Sequence, residues 1–175
     1  MRKPLSLIAL ALALVALVGV AALFLRPSPA AAESLVPFHA SVSENFTAAP
    51  CNTKSICITA IGHGQAEHLG EISEYALVVV DVNPADLHNG CEPETRSTTL
   101  TAANGDVITM YGTGYSCPAT SDAHDSYAIT GGTGRFQGSS GSGTEHNTHT
   151  FTKPGVGVAT VTYDGTISSV GSLKS

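Results

Sequence analysis

Histidine is the most chemically suggestive residue in this chain, at His39, His63, His68, His88, His124, His146 and His149. Imidazole ligates metals and titrates near neutral pH, so two clusters call for a reading. Glu145, His146 and His149 carry the residue types of a metal site, and Asp122, His124 and Asp125 could hold a cation at the surface. On a strand, residues an odd number apart point to opposite faces, so His146 and His149 diverge, as do His63 and His68. Solvated histidine is therefore the expectation for each cluster, and neither a metal nor an organic cofactor is expected.

Carboxylates offer a second chemistry. Glu71 with Glu74, or Glu92 with Glu94, could line the mouth of a barrel as acid and base, although solvated rim charges account for them as well. Nucleophilic hydrolysis finds no support, because no G-x-S-x-G is present and no spacing links a serine to a histidine and an aspartate. Arg135 is the one cation in a glycine-rich stretch and the one candidate ligand-binding residue. Pointing inward, it would orient a carboxylate-bearing ligand. The competing reading is a hydrogen bond to loop carbonyls. Asn45-Phe46-Thr47 is a glycosylation sequon, meaningful only in a glycosylating host.

Whatever chemistry exists must be positioned by one domain, since 175 residues suit one better than two. Lys and Arg number 8 against 14 Asp and Glu, a formal charge of −6 that argues against nucleic acid as a partner. Arg2 and Lys3 precede an apolar run from Leu5 to Leu25, followed by Arg26, Pro27, Pro29 and Ala30-Ala31-Ala32. That order is a signal peptide over residues 1–32, cleaved after Ala32. The run also approaches the ~20 residues that span a bilayer, so an uncleaved membrane anchor is the alternative. Either way the domain over 33–175 is expected outside the cytoplasm, with membrane contact only through an uncleaved segment.

An exported chain with an even cysteine count normally pairs them. Cys51, Cys57, Cys91 and Cys117 allow three pairings. Asn104-Gly105, a strong hairpin signal, lies midway between Cys91 and Cys117, so those two should meet across an antiparallel pair, leaving Cys51 to close a small loop with Cys57. A four-cysteine metal site is the rival reading, but it lacks any C-x-x-C spacing.

From residue 35 onward the hydrophobic period is two. Strands are expected at Phe38–Ser43, Ile56–Gln65, Ile72–Val82, Thr98–Ala102, Val107–Thr113, Ser126–Thr130, Thr144–Thr152 and Ala159–Ile167. The third is apolar on both sides of its centre, which predicts burial on both faces or beneath a loop. Short strands joined by Gly, Asn and Pro turns predict an all-β domain, an eight-stranded antiparallel barrel with room for side chains or one small ligand.

The stretch Gly131-Gly132-Thr133-Gly134-Arg135-Phe136-Gln137-Gly138, continuing through Gly141 and Gly143, resembles the GGTGRF-x-G-x-x-G signature of the dirigent and allene oxide cyclase-like β-barrel superfamily. His68-Leu69-Gly70 and Leu100 to Asp106 resemble its small exported bacterial members. The resemblance implies an eight-stranded barrel with a central cavity, which in the plant members steers an oxylipin cyclisation or orients coupling radicals without metal or organic cofactor. Read physically, Gly131, Gly132 and Gly134 permit positive φ in a tight reversal and Phe136 plugs a core. The functional expectation, from the fold resemblance and because no polar constellation converges in the sequence, is an exported, non-catalytic barrel that either binds a small apolar ligand or acts as a stable surface module. The alternative is a cofactor-free isomerase or cyclase, or a dirigent-like auxiliary protein, acting on a small apolar substrate.

Overall fold

The computed structural model describes residues 34–168, so the expected signal or anchor segment over 1–32 lies outside the described residues. Eight antiparallel strands follow one another in chain order: β1 (Leu35–Pro50), β2 (Ser55–Ala66), β3 (Gly70–Asp81), β4 (Glu92–Ala102), β5 (Val107–Cys117), β6 (Asp122–Gly132), β7 (Gly141–Lys153) and β8 (Val156–Ser168). β8 returns to pair with β1, Val42 opposite Val161, and closes the barrel. Closure satisfies both edges of the sheet, which an open sheet would leave unpaired.

Period-two patterning decides which side chains enter. In β3, Ile72, Glu74, Ala76, Val78 and Val80 are buried. The intervening Tyr75, Leu77 and Val79 are 46%, 46% and 41% exposed, which corrects the expectation that this strand is covered on both faces. A barrel this narrow takes one face of each strand inside and leaves the other on the surface.

Inward residues sort into layers along the barrel axis. At the end carrying the β2–β3, β4–β5 and β6–β7 turns, Phe38, Val42, Leu100, Ile108, Val161 and Ile167 form a solid core. Leu69 and Phe136, from two of those turns, join it and seal that end. Phe136 sits in a 3-10 turn over Gly134–Phe136 and is fully buried. Gly134 there has φ +58°, as expected, and a Cβ on it would lie 1.8 Å from Asp106 Oδ1. Gly132 does not adopt the positive φ expected of it. It is needed for space instead, since a Cβ there would meet the Val107 carbonyl oxygen at 2.3 Å.

The opposite end is built differently. Its inward apolar layer, Phe46, Ala60, Ala76 and Ala159 with Ile58 packed against it, is made mostly of small side chains and leaves the interior open. Both disulfides pin loops at this end. Cys91–Cys117 (Cα–Cα 4.3 Å) flanks the Glu92–Ser116 pair of the β4–β5 hairpin, and Cys51–Cys57 (5.5 Å) closes the β1–β2 loop. The two pairings are those the hairpin register predicted.

Candidate functional site

Between the sealed core and the open end lies a layer of polar side chains. Glu94, Arg96 and Thr98 alternate along β4, so all three point inward. Arg96 is 3% exposed, and its guanidinium organises the layer. Nη2 donates to Glu44 of β1 and to Glu74 Oε1 of β3 at 3.0 Å. Nε reaches Glu145 Oε1 of β7 at 3.1 Å and Thr98 Oγ1 at 3.2 Å. Glu74 Oε1 also accepts the Tyr163 hydroxyl of β8 at 2.5 Å.

Glycines make room for this concentration of carboxyls. Gly62 pairs in register with Glu44 on one side and Glu74 on the other, and Gly114 likewise stands between Glu94 and Asp125. A Cβ on Gly114 would lie 2.0 Å from the His124 carbonyl oxygen and 2.2 Å from Asp125 Oδ1. On the β6–β7 side Asp125 pairs with Glu145, and Glu145 pairs with Tyr163 of β8. Register alone thus carries the polar layer from β4 round to β8.

Burial dominates the electrostatics. It raises the Glu94 carboxyl to about 9, with Asp125 and Glu145 adding to the effect and Arg96 opposing it. Glu145 rises to about 8 and Glu44 to about 7, again through burial and against the pull of Arg96. Burial also raises Asp125, while its hydrogen bond with Glu94 and the charge of Arg96 pull it down. At neutral pH Glu94 therefore carries a proton, and Asp125 is placed to accept it. Asp125 Oδ1 is buried with no hydrogen-bond partner among the described residues. Arg96 stays charged: burial works against it, but Tyr163, Glu145, Glu44 and Glu74 outweigh that cost.

Above this layer opens a cavity of about 640 Å³. Its walls are apolar, with Phe46, Ile58, Val78, Val80 and Ala159 prominent, and Glu44, Glu94 and Arg96 form its base. Glu92, His149 and Phe151 stand nearer the mouth. Phe46 meets Phe151 edge to face at 5.2 Å and His149 at 6.2 Å, which stiffens one wall. A space of this size with an apolar lining and a few convergent polar groups is the general form of a small-molecule site.

The residues singled out in the sequence separate cleanly. Glu92 and Glu94 both border the cavity, and Glu74 is buried beneath it, whereas Glu71 is exposed. Arg135 does not line the cavity. It lies at the sealed end, where Nε donates to Asp106 Oδ2 at 2.9 Å and Nη2 to the His68 carbonyl at 3.0 Å. Among the described residues the arginine inside the barrel is Arg96. Asp125 and Glu145, weighed as metal-ligand candidates in clusters expected to be solvated, are 4% exposed and face inward, while His124 and His146 face outward. Glu44 and Arg96 went unnoticed, although strand parity places Glu44 in step with Phe38, Ala40 and Val42, and Arg96 in step with Leu100. The absence of a convergent polar constellation, on which the non-catalytic reading rested, does not hold in the folded barrel.

No family model matches this sequence, and no curated protein matches it. Among solved structures the chain is similar to the pterocarpan synthase dirigent protein PsPTS1, at 14% identity and TM-score 0.51, over 80% of this chain and 98% of that one. The pterocarpan synthase dirigent protein GePTS1 aligns at 13% identity and TM-score 0.47, over 83% of this chain and 92% of that one. At such identity the likeness to PsPTS1 speaks for architecture: the chain folds as a dirigent-like eight-stranded β-barrel.

Proposed function

We propose that this barrel works outside the cytoplasm as a cofactor-free acid catalyst, taking a small, neutral, mainly apolar molecule into its cavity and protonating it from Glu94. The observation that carries this reading is the position of Glu94, which borders both the cavity and the buried carboxyl layer and is held protonated by burial. A neutral carboxylic acid beside a carboxylate acceptor can donate a proton to an oxygen of the bound molecule and recover one as the product forms. Reactions of that type include loss of water from an alcohol, ring opening of an epoxide, and the cyclisation or isomerisation that follows. Apolar walls exclude water from the reacting groups, and Glu44 is a second carboxyl at the cavity base. Two disulfides at the cavity mouth suit an oxidising compartment.

Two measurements test the reading separately. Nile red, an uncharged apolar dye, should bind the full-length chain at one site and be displaced by neutral apolar alcohols. Failure to bind removes the cavity reading. Turnover of a panel of neutral apolar alcohols and epoxides, followed by NMR, should then drop about 10²–10⁴-fold in Glu94→Gln with dye binding unchanged. Equal turnover in parent and variant removes the acid role and leaves a binding barrel, the expectation stated first from the sequence.

A further inference from the structure

The outer face of the barrel carries a second constellation, independent of the cavity. Asp122 and His124 lie two apart on β6 and so share a face. His146 of β7 pairs directly with His124 in register. The two imidazoles stack with centroids 4.4 Å apart and planes 9° from parallel. Asp122 Oδ2 lies 3.4 Å from His124 Nε2, and the Thr120 hydroxyl donates to the other carboxylate oxygen, Oδ1. One ligand atom from each of Asp122, His124 and His146 falls within 4.8 Å of the other two.

We propose that Asp122, His124 and His146 bind one divalent transition-metal ion of the Zn²⁺, Ni²⁺ or Cu²⁺ type. Two imidazole nitrogens and one carboxylate oxygen are a borderline donor set that favours these ions over Mg²⁺ and Ca²⁺, which take all-oxygen sites. Zn–N and Zn–O bonds run about 2.0–2.2 Å, so the ligands must draw together slightly. Side-chain rotation accomplishes this at little cost, because the His124 side chain is 61% exposed. Thr120 plays the part of an outer-shell partner, holding the carboxylate so that its second oxygen faces the histidines. Parity along one strand hides such a site. It separates His146 from His149, as the structure bears out, but it does not look across strands, where register supplies His146 as the third ligand in place of the inward-facing Asp125.

The site joins β6 to β7, whose inner faces carry Asp125 and Glu145 at the neighbouring register position. Metal binding would therefore clamp the strand pair behind the carboxyl layer, and the melting temperature should rise when Zn²⁺ is added.

Calorimetric titration of the full-length chain with Zn²⁺ should show one saturable site per chain, with no comparable heat from Mg²⁺ or Ca²⁺. His124→Ala and His146→Ala should each weaken it by at least the ~10–100-fold that loss of an outer-shell partner costs, and Thr120→Val by about that factor. His39→Ala, remote in the fold, should leave it unchanged. An independent readout needs no variant: in NMR spectra of the parent, two of the seven histidine rings, His124 and His146, should shift on adding Zn²⁺. Shifts confined to other histidines, undiminished binding after replacing both His124 and His146, or no saturable Zn²⁺ binding would each overturn the proposal.

Discussion

Glu94 and Asp125 approach each other across Gly114, which pairs in register with both and whose missing side chain leaves the space that Asp125 Oδ1 occupies. Gly114→Ala should therefore be costly, because the new Cβ meets a backbone oxygen at 2.0 Å as well as Asp125. We expect a loss of about 3 kcal/mol or more in urea unfolding, at the upper end of overpacking effects. Gly112→Ala, two residues earlier, is the control. Its nearest contacts would be at 3.5 Å, and stability should barely change. Equal losses at the two positions would show that general strand propensity, and not the carboxyl pair, requires glycine.

Stability should fall, not rise, as pH increases through neutrality. Glu44, Glu145 and Glu94 have folded values raised from 4.5 to about 7, 8 and 9, so the folded state holds protons that the unfolded chain has already released. The stabilisation is complete below about pH 4.5 and disappears as pH passes through the folded values. Asp106 and Asp122, whose carboxyls are held below 3.8 by hydrogen bonds from Arg135 and Thr120 respectively, act in the opposite sense only at still lower pH. A melting temperature lower by roughly 10 °C at pH 9 than at pH 5 is expected from calorimetry. Arg96→Met, which leaves the carboxyls without their cation, should cost about 3–5 kcal/mol at pH 8 and less at pH 5.

The two disulfides should contribute unequally. Cys91–Cys117 spans 26 residues and Cys51–Cys57 spans 6, so chain-entropy reasoning assigns about 3.5 kcal/mol to the first and about 2 kcal/mol to the second. Denaturant midpoints of Cys91→Ser/Cys117→Ser and Cys51→Ser/Cys57→Ser proteins measure the difference. Losing either bridge should also loosen the cavity mouth and weaken dye binding.

Arg135 and Gly134 separate structure from ligand contact. Arg135→Ala removes two hydrogen bonds at the sealed end, and because the side chain is 44% exposed the melting temperature should fall only slightly. Cavity binding should be unaffected. Gly134→Val should be far more damaging, since it forces a β-branched residue into φ +58° and against Asp106. A weakened cavity affinity in Arg135→Ala, with stability unchanged, would restore the ligand-contact reading.

The sequence by itself determined the strand period, the turns and both disulfides, because each depends on neighbours close along the chain or on the symmetry of one hairpin. Asn104-Gly105 was enough to bring Cys91 to Cys117, and alternation from Phe38 to Val42 was enough to begin β1. The same logic failed where polar residues occupy inward positions. β1 was expected to stop before Glu44, β4 to begin at Thr98 and β6 at Ser126, yet β1 runs to Pro50, β4 begins at Glu92 and β6 at Asp122. The segments that escaped notice are those bearing Glu44, Glu94, Arg96 and Asp125. A hydrophobic pattern marks a strand by what it buries, and a buried carboxyl looks, residue by residue, like a solvated one. Only closure of the barrel, with β8 against β1 and every strand in its register, brings carboxyls from β1, β3, β4, β6 and β7 around one guanidinium. The same closure strips them of water, and that desolvation raises the carboxyls of Glu44, Glu94 and Glu145 well above the ordinary glutamate range.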